Sequence, residues 1–254
     1  MFLFKLATII FIIAGGLAGG FAAVRIGVGE RGKRLLSLGN AFAGGIFLGA
    51  GLIHMLSDAS DKFESFAGNM DYPFAALICG CGFLLVLCLE KVLARGEDVG
   101  ATSEKHLVSP LLLLVVLSVH SVIAGVSLGL EATLVSSAVI FVAIIAHKSS
   151  AAFALGASLK TVGMTSRSIA GTIAFFSIMT PLGILLGSAF GAWATSLVAT
   201  KVEAVFDALA AGTFLYVAIL DIIEEVFENP EDRCLKFMLM TASFGLMALI
   251  AVWT

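Results

Sequence analysis

Eight long apolar runs constrain this chain more than any other feature of its sequence. Each holds roughly 20 or more residues, the length that an α-helix needs to cross the hydrocarbon of a bilayer. Only 13% of the residues are charged, whereas soluble domains carry about 25%. The sequence therefore predicts an all-α, polytopic membrane protein with no separate soluble domain and no nucleic-acid partner.

The predicted spans form one transmembrane domain over residues 1–254, and an even number of spans places both termini on one side. Their approximate bounds are 3–24, 35–58, 73–93, 107–130, 134–160, 167–193, 202–227 and 235–253.

The positions of lysine and arginine predict the orientation. Eleven lie at or in the loops after spans one, three, five and seven, whereas three lie on the other side. Because cytoplasmic loops are enriched in these residues, we expect both termini to be extracytoplasmic. Short loops without a retention signal fit a bacterial inner membrane or a eukaryotic plasma membrane.

Two histidines stand out within the apolar runs. His120 and His147 lie near the middle of the fourth and fifth spans, so both should sit near the bilayer centre. Ionisable side chains at that depth usually serve a function, and neutral imidazole is a common metal ligand. A pair of hydrogen-bonded structural histidines is the alternative. Ser121 offers only a neutral oxygen, and Lys148 is too deep to reach the interface, so it should face a cavity or a carboxylate as a fixed positive charge.

Acidic side chains flank this region at both ends of the spans. His54 and Asp58 share one helix face near the outer end of the second span, and Asp207 lies near the outer end of the seventh. Together they could gather cations at an entrance, although solvated helix ends would look the same. We expect an acidic loop, with Asp61, Glu64 and Asp71, after the second span.

Three further acidic residues lie at the predicted cytoplasmic end of the seventh span. Asp221, Glu224 and Glu225 fall within little more than one helical turn and are candidates for an exit. The Thr180-Pro181 pair lies near the middle of the sixth span, where proline frees a backbone carbonyl and bends a helix. Broken helices at this depth often line transport sites.

Several of these motifs together resemble the ZIP (Zrt-, Irt-like) family of metal transporters. They are His120-Ser121-x-x-x-Gly125 in the fourth span, His147-Lys148 in the fifth, His54-Met55-Leu56-Ser57-Asp58 in the second, and Ala210-Ala211-Gly212-Thr213-Phe214-Leu215-Tyr216 with Asp221 in the seventh. The resemblance covers nearly the whole chain and agrees with eight spans and outside termini.

The resemblance implies transport of divalent transition metal into the cytoplasm, zinc first and iron, manganese or cadmium next. It implies a 3+2+3 helix arrangement with the site on the fourth and fifth helices. His120, Ser121 and His147 match metal-site residues. Lys148 matches a lysine of members with one metal site, and Asp221 matches a usual glutamate. Metal is the substrate here, and no cofactor is implied.

The departures from the family pattern concern carboxylates. Ala124, Ala151 and Thr180 stand where many members carry an acidic residue, so a two-metal site is not expected. A transport-deficient metal sensor or scaffold is the alternative function. An intramembrane metalloenzyme would need a motif such as His-Glu-x-x-His, which this chain lacks, and we do not expect an enzyme. Glycines at four-residue spacing favour close packing of helices within the chain, and less strongly a homodimer.

Overall fold

The computed structural model describes residues 2–27, 29–67, 72–93, 105–131, 133–190 and 196–252. These residues include eight helices long and apolar enough to cross a membrane, and no strand. The predicted all-α class and the number of spans are confirmed. The ends of two predicted spans, at 191–193 and 253, lie outside the described residues.

The eight spanning helices are numbered here in chain order. They are α1 (Phe2–Arg25), α2 (Glu30–Phe66), α3 (Phe74–Val92), α4 (Pro110–Leu130), α5 (Leu134–Thr161), α6 (Ser166–Ala189), α7 (Thr200–Glu228) and α8 (Arg233–Ile250). Helical structure before α4 begins at Lys105.

The helices pack as two groups. In one group α1 lies against α5 and α6, and α4 lies along α6; in the other α2 packs on α8, and α3 packs on α7. The groups meet chiefly where α2 contacts α5 and where α4 contacts α7. The candidate histidines on α4 and α5 therefore lie where the two groups meet. The 3+2+3 arrangement, the side of the termini and the homodimer stay predictions.

Glycine faces explain the close approach of α4 to α6. A Cβ added at Gly125 would lie 2.9 Å from the Cα of Gly183, and one added at Gly129 would lie 3.0 Å from the Cα of Gly187. Such distances are too short for a side chain, so only glycine permits this packing. The prediction that the glycine faces pack helices within the chain is confirmed at these positions.

The second helix is longer than the sequence pattern suggested. Asp61 and Glu64 were expected in a loop, but they lie on the helical segment Leu56–Ala67. The third residue of that loop, Asp71, lies outside the described residues. The prediction was wrong because this segment is amphipathic. Ala59 and Phe63 pack toward α3 and α7, whereas both acidic side chains face outward.

Three spanning helices contain a π-helical segment. These segments are Ala50–Met55 in α2, Cys88–Leu93 at the end of α3 and Val217–Ile223 in α7. Each carries one ionisable side chain of interest, namely His54, Glu90 and Asp221. All three segments lie in the second group of helices, and π-helical turns are rare and often found at functional sites.

Three lysines cap the carboxyl ends of helices. Lys5 donates to the carbonyl of Gly129 at 2.5 Å, Lys160 donates to that of Val24 at 3.1 Å, and the buried Lys236 donates to that of Val226 at 2.9 Å. The last carbonyls of a helix have no partner within it, so these ammonium groups satisfy them and complement the helix dipole.

Candidate metal site

The two intramembrane histidines lie face to face. The Nε2 atoms of His120 on α4 and His147 on α5 are 3.4 Å apart, and both side chains are buried. Phe214 of α7 packs edge-on against both imidazoles, with its ring centroid 4.7 Å from that of His120. Neighbouring spans and matched depth thus bring the pair together as the sequence predicted. Phe214 was within a family motif, but nothing in the sequence linked it to the histidines.

The separation of the two nitrogens suits a shared metal ion. Zinc binds imidazole nitrogen at about 2.0–2.1 Å with tetrahedral angles, which puts two ligand nitrogens about 3.3–3.4 Å apart. A direct N–H···N hydrogen bond at 3.4 Å would be long, since such bonds normally measure about 2.7–3.2 Å. The geometry therefore suits a bridging cation better than a mutual hydrogen bond.

Lys148 lies beside the pair, and its side-chain partners among the described residues are neutral groups rather than a carboxylate. Its Nζ donates to the Ser121 hydroxyl and to the Phe176 carbonyl, each at 2.9 Å. It also lies 3.6 Å from the centroid of the Phe176 ring, where a cation is attracted by the aromatic face. These neutral partners anchor the Lys148 amino group between α4 and α6. The Ser121 hydroxyl therefore accepts a hydrogen bond from Lys148.

The positions that could have supplied anions are apolar or neutral. Ala124 packs against an apolar cluster that includes Ile144, and Ala151 belongs to the main hydrophobic core. Thr180 on α6 is buried, and its hydroxyl has no hydrogen-bond partner among the described residues. Within those residues, no group of three or more His, Cys, Asp or Glu side chains is placed to hold a metal.

The predicted entrance residues are brought together only in part. The Nδ1 of His54 lies 3.2 Å from a carboxylate oxygen of Asp58, as their four-residue spacing predicted. Asp207 instead accepts a 2.6 Å hydrogen bond from Lys62, whose ammonium also lies 3.5 Å from Glu203. The expectation that Asp207 gathers cations must be corrected, because a lysine of the same chain already neutralises it.

The predicted exit residues line one cavity of about 660 Å³. Glu90 of α3 lies in the same wall, and the ammonium of Lys91 is 2.6 Å from its carboxylate. Asn40 also lines the cavity; it is buried, and its side-chain oxygen has no hydrogen-bond partner among the described residues. The polar residues of this wall are Asn40, Glu90, Lys91, Ser158, Asp221, Glu224, Glu225 and Glu228. Glu90 was missed by sequence reasoning, which placed it inside the third span, at 73–93, and assigned it no role.

Comparisons with known proteins agree with this architecture. The sequence profile described as "ZIP Zinc transporter" matches residues 2–106 and 95–251. The chain is 32% identical to zinc transporter ZIP2 of Mus musculus over 87% of this chain and 86% of that protein. It is 31% identical to zinc transporter ZIP2 of Homo sapiens over the same shares, and 29% identical to zinc transporter ZIP1 of Bos taurus over 85% of this chain and 78% of that protein.

Profile and relatives both cover nearly the full set of spanning helices. Together they identify an integral, multi-pass membrane protein from a family of transporters rather than of enzymes. The chain belongs to the ZIP zinc transporter family.

Proposed function

We propose that this protein carries divalent transition-metal ions into the cytoplasm and that the ion is held in transit between His120 and His147. The observation that carries the proposal is the 3.4 Å separation of the two Nε2 atoms. Zinc is the first candidate because the relatives are named zinc transporters. Iron, manganese and cadmium are the further candidates.

The proposed path uses the polar residues on either side of this pair. Metal enters past Asp58 and His54, binds between the imidazoles, and leaves into the cavity lined by Asp221 and Glu225. Direction toward the cytoplasm rests on the distribution of lysine and arginine, which predicts that this cavity opens inside.

The composition of the site favours weak binding. Two neutral imidazoles contribute no negative charge, and the Lys148 ammonium repels a dication. Water and the second lone pair of the Ser121 hydroxyl would complete the ligand shell. A transporter must release what it binds, so a site of this kind suits passage of the ion rather than storage.

The two helix groups supply a mechanism for alternating access. His120 and His147 belong to the group of α1, α4, α5 and α6, whereas Phe214 belongs to the other group. Rigid-body movement of one group against the other is the general mechanism of such transporters. In this protein the movement would slide the histidine pair past Phe214 and expose it to each side in turn.

A transport-deficient sensor or scaffold is the second candidate. It is favoured by Ala124 and Ala151, which leave the histidine pair without a carboxylate. In a sensor the weakly held ion would shift the balance between two conformations without crossing the membrane. Measured flux separates the two functions.

The decisive experiment is metal uptake into proteoliposomes containing the purified protein. Zinc, iron, manganese and cadmium are compared for the natural chain and for the double variant His120→Ala/His147→Ala. We expect uptake by the natural chain and its loss in the double variant, because both proposed ligands are removed.

A variant with an intact pair controls for damage to the membrane domain. Cys234→Ser changes an exposed residue near the start of α8 and should retain uptake. Uptake that survives in the double variant would refute the proposed site. No uptake of any of these metals by monodisperse natural protein would refute transport and favour the sensor.

A further inference from the structure

Lys62 was not singled out by the sequence, yet it contacts Asp207, one of the residues considered for the entrance. It lies on α2, one turn after Asp58, and its ammonium is held by two carboxylates of α7. Asp207 is 2.6 Å away and Glu203 is 3.5 Å away. These two acidic residues are four positions apart in the sequence, so they share one face of α7 and both contact the ammonium.

This ion pair differs from an ordinary surface salt bridge. The side chains of Lys62, Asp207 and Glu203 are 27%, 15% and 19% exposed. Partly buried charges are screened less by salt than exposed ones, and a hydrogen bond between two ions is stronger than a neutral one. The ammonium therefore occupies the two carboxylates firmly in the absence of other cations.

Without Lys62 the entrance would offer oxygen ligands alone at this level. Two carboxylates on one helix face, with Asp58 nearby on α2, suit hard cations such as calcium and magnesium, which are bound almost entirely through oxygen. Zinc in contrast also accepts imidazole nitrogen. The entrance offers such a nitrogen in the imidazole of His54, which is paired with Asp58.

We infer that Lys62 is a specificity-determining residue of the entrance, where its tethered ammonium keeps Asp207 and Glu203 from capturing calcium and magnesium. The Asp58–His54 pair is then left as the point at which an arriving ion is first bound, and its mixed oxygen and nitrogen ligands favour transition metals. This inference rests on the proposed transport function, but its chemistry can be tested by binding alone.

The first test is inhibition of zinc uptake by calcium in proteoliposomes. Lys62→Gln should make uptake sensitive to calcium at roughly 0.1–1 mM, the range of weak all-oxygen sites, whereas the natural chain stays insensitive. Lys62→Arg keeps the positive charge and should stay insensitive. Lys62→Gln/Asp207→Asn should lose the new sensitivity, because one of the freed carboxylates is removed again.

A neighbouring lysine supplies the matched control. Lys201 lies two residues before Glu203 on α7, with its ammonium 5.5 Å from the centroid of the Phe66 ring. Lys201→Gln removes the same charge from the same rim without freeing these two carboxylates. Equal calcium sensitivity in Lys201→Gln and Lys62→Gln would overturn the inference, since the effect would then be one of rim charge.

Direct binding separates this inference from the transport proposal. Calcium-45 binding is measured by equilibrium dialysis on purified protein carrying His120→Ala/His147→Ala, which has no proposed transport site. Adding Lys62→Gln should create a calcium site, and its absence would overturn the inference whether or not the natural chain transports metal. Lys62→Met retains the aliphatic stem and replaces Lys62→Gln in both experiments if that variant is not monodisperse.

Discussion

His120 and His147 meet at 3.4 Å through their Nε2 atoms, and the residue one turn beyond each of them is an alanine. The pair thus has the spacing of two metal ligands without the anion that usually accompanies them. Much of what can be tested about this protein follows from that combination.

Restoring a carboxylate should strengthen the site. Ala124→Glu places an anion one turn from His120 on the same face of α4, where it adds a ligand and offsets the charge of Lys148. We expect the zinc dissociation constant of the purified protein to fall by about tenfold or more, because both effects favour a dication. Isothermal titration calorimetry measures it. Ala124→Gln has nearly the same size without the charge, and an equal gain in that variant would contradict the electrostatic explanation.

Removing the fixed charge should also strengthen zinc binding. Lys148→Met replaces the ammonium by an apolar side chain of similar length, and we expect zinc affinity to rise by about tenfold as the repulsion disappears. Lys236 is the control because it is equally buried, at 2% exposure, but caps the end of α7. Lys236→Met should lower thermal stability and leave zinc affinity unchanged. Unchanged affinity in Lys148→Met would show that its charge does not act on the pair.

The contact of α4 with α6 should tolerate no side chain. Gly183→Val would drive a side chain into the backbone of α4 near Gly125, and we expect a loss of at least about 2 kcal/mol of stability or a failure to fold. Gly171→Val lies on the same helix at a position with open space around it and should be tolerated. Size-exclusion profiles and melting temperatures distinguish the two outcomes, and equal behaviour would disprove the glycine packing.

The loop before α8 should contribute stability that depends on pH. Hydrogen bonds from the Arg34 guanidinium, one of them 3.0 Å long, hold the pKa of Asp232 below its ordinary value of 3.8. A lowered pKa in the folded state means that the contribution is fully present above pH 3.8 and is lost as the pH falls through the lowered value. The difference in melting temperature between the natural chain and Arg34→Gln should therefore be present at pH 7 and should shrink as the pH falls below 3.8.

Another ion pair of α2 provides the comparison for that experiment. Lys33 and Glu30 form a highly exposed pair at 3.1 Å, which should contribute little. Lys33→Gln should leave the melting temperature nearly unchanged both at pH 7 and below pH 3.8. A difference for Arg34→Gln that persists undiminished at low pH would exclude Asp232 as its origin.

The apolar runs predicted the number and class of the helices because each span must satisfy its backbone within itself in lipid. The similar depths of His120 and His147 on neighbouring spans were enough to predict that the two side chains lie close together. Pairing between distant helices was harder to predict. Lys62 and Asp207 are 145 residues apart, and no local pattern shows that one neutralises the other.

Lys148 and Glu90 show the same limit in two other ways. The cost of a buried charge correctly marked Lys148 as unusual, but its partners are a hydroxyl, a carbonyl and an aromatic face, none of which carries a charge that a sequence pattern would reveal. Glu90 lies within the predicted third span, but its place in the π-helical segment Cys88–Leu93 could not be predicted from the sequence. A periodicity of 3.6 residues no longer predicts which side chains share a face across such a segment.

The π-helical segments have a consequence for how substitutions are tolerated along α2, α3 and α7. Each such turn holds about one residue more than an α-helical turn, which rotates everything beyond it by about 100° relative to a regular helix. In a saturation mutagenesis map, the 3.6-residue rhythm of sensitive positions should therefore shift phase within Ala50–Met55, Cys88–Leu93 and Val217–Ile223. Deleting a single residue there should do less damage than deleting one from a regular stretch of the same helix, because the segment can revert to an α-helical turn and the half-helix beyond it keeps its face toward its neighbours.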